Sequence, residues 1–549
     1  MADFKKSVVY QIYPKSFYDS NGDGLGDLRG VIEKLDYIKE LGVDYIWMTP
    51  FFVSPQKDNG YDVEDYYNID PRYGTMEDVE ELSREAEKRG IRLMFDMVFN
   101  HTSDRNQWFR KALAGDPKYK DFYIFKKGPK PGVPPTNWES KFGGSAWEYV
   151  EKFDEYYLHL FDVSQPDLNW ENPEVRKEVQ NVIKFWMGKG IKGFRFDVVN
   201  LISKDKYEND YEGDGRRFYT DGPNIHKYLR ELNEATFGTD AEIITVGEMS
   251  STTMENCYQY ANEDGKELSM VFSFHHLKVD FMGNEKWVIV PFDFQKLKHI
   301  LFDWQVNMGK HHAWNAVFWC NHDQPRVVSR FGNVEKYWKE SAKMLGTVIH
   351  CLRGTPYIYQ GEELGMTNAG FTDISQYKDV ESLNHFRILQ EKGLTEENAY
   401  QILQIHSRDN SRTPMQWTSG ENGGFTTGEP WIEVNKNCSY INAEAELQDE
   451  DSIFHYYQKL IALRKKYDVI AYGDLKPLDE KNPSVFAYER EYQGEKMMVI
   501  CNFYGKEVTW DSEVDLGEYQ CVLSNYKEHT VEGSRIELKP YEAVVLYRK

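Results

Sequence analysis

Acidic side chains follow several apolar runs of the chain that have the composition of buried strands. Asp197 ends the run GFRFD, Glu248 ends IITVGE, and Asp323 follows NAVFWCNH. Retaining hydrolysis of a sugar acetal needs one carboxylate that attacks the anomeric carbon. A second, about 5 Å away, protonates the leaving oxygen and later deprotonates water. We predict Asp197 as the nucleophile, Glu248 as the general acid/base and Asp323 as a third carboxylate that holds sugar hydroxyls.

The neighbours of two of these residues suit opposite protonation states. Arg195 stands two residues before Asp197 and, in a strand, points to the same face, which favours the carboxylate anion. Partial burial and neighbouring anions are expected to keep Glu248 protonated near neutral pH. The alternative is that each acid is an ordinary surface-loop residue. This is the weaker hypothesis, because the three acids lie at three strand ends of one barrel.

Short apolar strands alternate with amphipathic helices along most of the chain. This pattern predicts a parallel α/β fold, and a closed (β/α)8 TIM barrel is the economical form, with an open doubly wound sheet as the alternative. The predicted strands cover 8–14, 45–50, 91–99, 193–199, 242–249, 268–274, 315–321 and 355–361. The predicted helices cover 27–42, 76–89, 173–189, 223–237, 293–308, 335–352 and 452–466.

Two stretches interrupt the alternation, and a third ends it. Residues 102–167 are rich in Pro, Gly, Trp and Tyr and are predicted to form an inserted small domain after the third strand, while 365–450 form a second, polar insertion. From about residue 471, short alternating strands without helices predict a C-terminal antiparallel β-sandwich. The predicted domains are 1–101 with 168–470, then 102–167, then 471–549.

Composition limits the partners of the protein. The formal net charge of −23 argues against nucleic acid or an anionic membrane, because both require a basic face. The six cysteines are scattered without a CxxC pair, so neither a disulfide framework nor a zinc site is expected. Without a signal-peptide core or a run of membrane-spanning length, the sequence predicts a cytoplasmic protein.

Four segments resemble the signature regions of the α-amylase superfamily of glycoside hydrolases. They are DMVFNH (96–101), GFRFDVVN (193–200), GEMS (247–250) and NHDQPR (321–326), and the opening YQIYPKSFYDSNGDGLGDL and DNSRTPMQW (409–417) extend the resemblance. The resemblance implies a catalytic barrel, an inserted domain and a C-terminal β-domain. It also implies the same three catalytic roles. It further implies that His101 and His322 bind hydroxyls of the cleaved sugar and that Tyr61 stacks beneath it.

A narrower resemblance concerns the pocket for a terminal glucose. In related exo-acting glucosidases, residues that match Asp58 and Arg412 clasp the hydroxyls of this sugar, since a guanidinium can hold both a carboxylate and a diol. Such a clasp closes the cavity, so that only chain ends or disaccharides fit. Val198, directly after the nucleophile, is also similar to these small-substrate enzymes. A structural salt bridge is the alternative.

The finest resemblance is to the trehalose-6-phosphate hydrolases. It is carried by NLISKD (200–205), EGDGRRFYTDGP (212–223), GEMSSTT, FSFHHLKVDF (272–281), NEKW (284–287) and FWCNHDQPR. The hypothesis is hydrolysis of α,α-trehalose 6-phosphate, a small phosphorylated disaccharide, to glucose and glucose 6-phosphate. Lys278 and Lys286 are the predicted phosphate ligands, with Lys278 the sharper choice, and His276, Arg216 and Arg217 are further candidates.

Other functions remain open at this point. An oligo-1,6-glucosidase, another α-glucosidase or a transglycosylating isomerase would use the same carboxylates. A non-enzymatic amylase-like subunit of a transporter is the alternative from a different class. It is expected to have a membrane anchor and to lack a catalytic carboxylate.

One loop alternates oxygen ligands in the manner of a calcium site. Asp19, Asn21, Asp23, Leu25 through its carbonyl, and Asp27 are the predicted ligands of a structural cation, either Ca²⁺ or Mg²⁺. The acidic residue at the twelfth position of a calcium loop is missing, because Gly30 stands there. A turn without metal is the alternative. No cofactor is predicted for catalysis.

Overall fold

Eight parallel strands close into a barrel in the computed structural model, which describes residues 3–549. We number these barrel strands β1 to β8. They are Val9–Ile12, Tyr45–Met48, Arg92–Met97, Gly193–Phe196, Ile244–Glu248, Met270–Phe272, Asn315–Val317 and Thr355–Tyr359. Each pairs with the next in chain order, and β1 pairs with β8 to close the ring. The (β/α)8 barrel is therefore confirmed, and the open doubly wound alternative is wrong.

The strands are apolar because both of their faces are covered. Every residue of β1, β2, β4 and β8 is buried, as expected for parallel strands with helices outside and packed side chains within. All eight strands run in one direction, so their carboxyl ends open at the same rim of the barrel. Residues just after each strand therefore lie around one central cleft.

Helices connect the strands, and several have clear start signals. Thr75 and Asp78 form a capping box at the start of one helix, and Asn172 caps another that begins with Pro173. The helices that contribute to the barrel wall and its loops include Leu28–Glu33, Leu35–Leu41, Met76–Lys88, Pro173–Gly188, Arg216–Tyr219, Ile225–Ala235, Met254–Tyr260, Phe294–Lys310, Val327–Phe331, Trp338–His350, Ile453–Lys466 and Asp468–Tyr472. The single helix predicted over 27–42 is two helices, broken at Lys34.

The segment after β3 has its own small structure. Helices Gln107–Ala114 and Pro117–Lys120 precede a three-stranded antiparallel sheet of Phe125–Lys126, Trp147–Val150 and Glu155–Leu158. Its two ends meet, since a bridge joins His101 to Asp167. The position agrees with an inserted domain, while the boundaries at 102 and 167 stay a prediction.

The second insertion contains more helix than its polar composition suggested. Helices Val380–Glu391, Glu396–His406, Asp409–Arg412 and Ala443–Gln448 lie between β8 and the last barrel helix. The first two pack against each other around Phe386 and Leu403. This insertion matters for the site, because its loops and helix ends bring charged side chains over the rim of the barrel.

The C-terminal part is antiparallel, as predicted. A five-stranded sheet contains Asp474–Leu478, Val485–Tyr492, Glu495–Asn502, Gln520–Ser524 and Ala543–Arg548, and a three-stranded sheet contains Val508–Asp511, Thr530–Glu532 and Arg535–Leu538. The two sheets share a core that includes Val485, Ile500, Trp510 and Ile536. Across residues 3–549, no helix is both long and apolar enough to cross a membrane.

Candidate active site

One buried guanidinium joins the carboxyl groups at three adjacent strand ends. Arg195 of β4 donates from Nη1 to Asp96 Oδ1 and to Asp197 Oδ1, each at 2.7 Å, and its Nη2 contacts Glu248 Oε2. Asp96 lies near the end of β3, Asp197 directly follows β4, and Glu248 ends β5. The predicted nucleophile and acid/base therefore flank a single side chain. The sequence led us to expect anions around Glu248, whereas in the structure Glu248 contacts the Arg195 cation.

Asp96 anchors this arrangement from below. Its Oδ2 accepts hydrogen bonds from Tyr61 Oη at 2.9 Å and Trp47 Nε1 at 3.2 Å. Burial raises the pKa of Asp96 to about 7, although Arg195 opposes this shift. Burial would lower the pKa of Arg195, but Asp96, Tyr61 and Asp197 outweigh it and hold that pKa above its usual value. The guanidinium therefore remains a fixed positive charge beneath the cleft.

The backbone turns sharply after Asp197. Val198 has φ 36° and ψ 42°, in the left-handed region that a β-branched residue rarely adopts. Asp197 N–H donates to the Met97 carbonyl at 3.0 Å, so the strand pairing continues to the residue before the turn. The left-handed turn at Val198 therefore ends the strand directly after Asp197, at the rim of the barrel.

Asp323 lies among positive groups on the other side of the cleft. Its Oδ1 accepts from Arg412 Nη2 at 2.8 Å and Arg408 Nη1 at 3.3 Å, and its Oδ2 lies 3.2 Å from His322 Nε2. Burial would raise the pKa of Asp323, but His322 and the two arginines more than offset this, and that pKa lies well below its usual range. Asp323 is thus an anion over the working pH range.

Asp58 and Arg412, the predicted clasp for a terminal glucose, form no direct ion pair with each other within residues 3–549, although the Arg412 charge acts on Asp58. The guanidinium that approaches Asp58 is that of Arg408, at 3.8 Å, while Arg412 contacts Asp323 and lies 3.6 Å from Asp379. Arg408 also bonds Asp379 at 2.6 Å. The physical reason is that a fully buried aspartate, Asp379, lies between the two arginines and draws both toward it.

The predicted sugar-binding rings are stacked and buried. Tyr61 and His322 have ring centroids 5.2 Å apart and an interplanar angle of 3°. His101 Nε2 lies 3.1 Å from the Tyr61 carbonyl and 3.2 Å from Gln165 Nε2, and burial lowers the pKa of His101. Gln165 also donates to Asp58 Oδ2 at 3.1 Å. These contacts form one polar wall beside Asp197.

The two predicted phosphate lysines line a cleft together with two of the carboxylates. This acceptor cleft has a volume of about 250 Å³, and its walls include Glu248, Asp323, Lys278 and Lys286. Lys286 Nζ is bound to Glu381 Oε2 at 3.0 Å. Lys278 is exposed at the cleft. Loss of hydration around its ammonium group, and then the Arg216 charge, lower its pKa.

The three further candidates differ in their surroundings. His276 is buried and its Nε2 lies 2.8 Å from the Phe318 carbonyl, so it supports the strand rather than facing the cleft. Arg216 pairs with Asp214 at 2.8 Å, and its charge reaches Lys278. Arg217 is held by Asp210 and Glu212, each at 2.9 Å. Only Arg216 stays close to the acceptor cleft.

In the predicted cation loop, side-chain oxygens accept backbone hydrogens. Asp19 Oδ1 accepts from the N–H groups of Asn21 and Gly22, and Asn21 and Asp23 each accept from the second residue after them. Asp27 caps the helix Leu28–Glu33. Within residues 3–549, no group of three His, Cys, Asp or Glu side chains is arranged to hold a metal. The oxygen atoms of this loop suit a cation such as Ca²⁺ or Mg²⁺. The hydrogen bonds that they accept from backbone N–H groups would also stabilise the turn without a metal.

Several site residues were missed from the sequence. Arg408, Asp379, Glu381 and Gln165 belong to loops and helix ends of the two insertions, where no strand periodicity marks the position. The spacing Arg408-x-x-x-Arg412 was the available signal, since residues four apart share a helix face, but the structure was needed to show what the pair faces.

The barrel and the carboxylates around its rim define a glycoside hydrolase. The model of the alpha-amylase catalytic domain matches residues 11–473, and the model of the alpha-amylase SusG C-terminal domain matches residues 485–545. The chain belongs to the alpha-amylase family.

Individual relatives narrow the comparison. A trehalose-6-phosphate hydrolase from Bacillus subtilis (strain 168) is 57% identical, with 99% of this chain and 97% of the relative covered. An oligo-1,6-glucosidase from Bacillus cereus is 50% identical, with 100% and 99% covered. The crystal structure of trehalose-6-phosphate hydrolase from Bacillus licheniformis is 56% identical, with a TM-score of 0.96 and 99% of each chain covered. The non-enzymatic transporter-subunit alternative gains no support from these relatives.

Proposed function

We propose that this protein hydrolyses α,α-trehalose 6-phosphate to glucose and glucose 6-phosphate, with retention at the anomeric carbon that is attacked. Glucose occupies the inner pocket beside Tyr61, His101 and Asp58. The phosphorylated ring lies in the acceptor cleft. Two similar proteins are trehalose-6-phosphate hydrolases, and this similarity and the chemistry of the cleft support the same substrate.

The carboxylates divide the chemistry between them. Asp197 attacks the anomeric carbon and forms a covalent glucosyl intermediate, while Glu248 protonates the leaving oxygen and then activates water. Asp323, ionised by its arginine neighbours, holds sugar hydroxyls and stabilises positive charge on the ring. The shared contact with Arg195 supports these roles, because a retaining mechanism requires two neighbouring carboxyl groups, and Asp197 and Glu248 both contact this one guanidinium.

One observation carries the choice of substrate. The cleft that is lined by Glu248 and Asp323 is also lined by Lys278 and Lys286. On a chain with a net charge of −23, the overall field repels a phosphorylated sugar, so cations must be placed locally to bind it. A neutral disaccharide needs no such pair beside the leaving group. The location of these lysines therefore favours a phosphorylated leaving group.

A direct comparison of substrates tests this proposal. Trehalose 6-phosphate, trehalose and isomaltose are supplied separately at equal concentration, and products are followed by NMR, which also identifies the anomer that forms first. We expect kcat/KM to be highest for trehalose 6-phosphate, with α-glucose released first. A preference for isomaltose would overturn the substrate, and initial release of β-glucose would overturn retention.

Oligo-1,6-glucosidase activity is the second candidate. The Bacillus cereus relative supports it, and so does the ion pair between Lys286 and Glu381, which leaves Lys286 less available to a phosphate. The same assay separates the two activities. Transfer to a second sugar would appear in it as a new disaccharide.

Two further proposals concern location and stability. All six cysteines are free thiols, which supports a cytoplasmic location because reducing compartments keep thiols unpaired. We also propose that Asp19, Asn21, Asp23, Asp27 and the Leu25 carbonyl hold a structural Ca²⁺ or Mg²⁺, supported by their oxygen-only donor set.

A further inference from the structure

A lysine of the inserted segment reaches across to the loop that carries the predicted acid/base. Lys141 Nζ donates to Ser250 Oγ at 3.0 Å, and Ser250 lines the acceptor cleft two residues after Glu248. The Lys141 backbone is fixed independently, since its N–H donates to the Leu160 carbonyl at 2.8 Å. The ammonium group therefore bridges the inserted segment and the barrel at the edge of the cleft.

Two cations and two anions act on the ammonium group of Lys141. Arg216 and Lys278 both repel it, and Asp214 and Asp167 attract it from other sides. Among residues 3–549, neither Lys141 nor Lys278 forms an ion pair with a carboxylate, and Arg216 has only Asp214. Lys141 and Lys278 repel each other, and this like-charge repulsion raises the energy of the free protein. An anion placed among them removes that cost.

We propose that Lys141, with Arg216 and Lys278, forms the binding site for the phosphate group of the substrate. The inference rests on the proposed function and extends it, because it assigns a phosphate ligand to the inserted segment rather than to the barrel loops alone. A phosphate dianion between Lys141 and Lys278 satisfies both ammonium groups. The same contact links the inserted segment to the loop after β6, which carries Lys278.

The structure also indicates how this contact depends on pH. Burial, Arg216 and Lys278 together lower the pKa of Lys141 to about 7. In the free protein Lys141 is therefore protonated below pH 7 and loses its charge above it. A bound dianion favours the charged form, so binding at pH 7 to 8 takes up a proton. Because kcat/KM reports the free enzyme, the value for trehalose 6-phosphate should fall above pH 7.

Substitutions at Lys141 test the assignment on the full chain. Lys141→Met, Lys141→Arg and the control Lys127→Met, an exposed lysine of the same segment, are compared with the wild type. The substrates are trehalose 6-phosphate and p-nitrophenyl α-glucoside. A charge-assisted hydrogen bond contributes about 1.5–3 kcal/mol. We therefore expect Lys141→Met to lose about 10- to 150-fold more kcat/KM on the phosphorylated substrate than on the aryl glucoside.

The pH profile separates phosphate binding from a purely structural link to Ser250. Lys141→Arg should retain most of the preference for the phosphorylated substrate and lose the decline above pH 7, because arginine does not titrate there. Equal losses on both substrates, or an unchanged pH profile in Lys141→Arg, would overturn the assignment while leaving the proposed function intact. A wild type without activity on trehalose 6-phosphate would overturn the proposed function itself.

Discussion

Replacing Lys278 by methionine should remove much of the preference for a phosphorylated substrate. Lys278 is exposed in the cleft that Glu248 and Asp323 line, where loss of hydration and then the Arg216 charge lower its pKa without opposition from a carboxylate. Its positive charge is therefore available to a ligand. Methionine keeps the length and apolar stem of the side chain and removes only the ammonium group. The variant thus tests charge rather than packing.

The expected loss follows from the strength of one charge-assisted contact. Hydrogen bonds between charged groups contribute about 1.5–3 kcal/mol, which corresponds to about 10- to 150-fold in kcat/KM. The same change at Lys286 should cost less, because its ammonium group is already bound by Glu381 at 3.0 Å. The order of the two losses is therefore a second result to be checked.

The assay measures kcat/KM for trehalose 6-phosphate and for p-nitrophenyl α-glucoside in each variant. Lys227→Met serves as the control, since Lys227 is an exposed residue on a helix outside the cleft. The role of Lys278 as a phosphate ligand predicts that the ratio of kcat/KM for trehalose 6-phosphate to kcat/KM for the aryl glucoside falls at least tenfold in Lys278→Met. An unchanged ratio, or a larger fall in Lys286→Met than in Lys278→Met, would refute it.

Two further predictions concern the acid/base and the cation loop. Glu248→Gln should lower turnover of trehalose 6-phosphate by about 10²- to 10⁴-fold. The same variant should slow the first turnover of a 2,4-dinitrophenyl glucoside much less, because that leaving group needs no proton. Equal slowing of the two substrates in a stopped-flow measurement would contradict the acid/base role of Glu248. Removal of metal with EDTA should lower the free energy of unfolding by about 2.7 kcal/mol relative to protein with Ca²⁺ at a hundred times its Kd. Calorimetry that shows no change, in either the wild type or Asp23→Ala, would favour the metal-free turn.

The parts of the site that follow barrel strands could be predicted from the sequence. Once an apolar run is recognised as a barrel strand, its carboxyl end is known to lie at the rim that carries the active site. A residue at that end, such as Asp197 or Glu248, can therefore be assigned to the site. The resemblance to known signature regions then added the roles. Arg195 was placed by the period-two alternation alone, and its contact with Asp197 at 2.7 Å agrees with that argument.

The residues on insertions could not be placed in the same way. Arg408 and Asp379 lie in a polar segment where neither periodicity nor composition shows which side chains meet, and their contact at 2.6 Å depends on how two helices pack. Lys141 is another example, because its contact with Ser250 joins residues 109 positions apart. Contacts of this kind depend on tertiary packing, which local sequence patterns do not report.

The distribution of charge explains why the two halves of the cleft suit different sugars. In the inner pocket, Arg195, Arg408 and Arg412 are matched by carboxylates, so a neutral glucose meets a polar wall whose charges are already balanced. At the acceptor cleft, Lys278 and the nearby Lys141 repel each other, and within residues 3–549 neither forms an ion pair with a carboxylate. Charges that are balanced before binding contribute orientation, whereas unbalanced charges contribute attraction for an opposite charge. A disaccharide that carries phosphate on only one ring therefore has one favoured direction of binding, with its neutral ring inward and the bond between the rings beside Asp197 and Glu248.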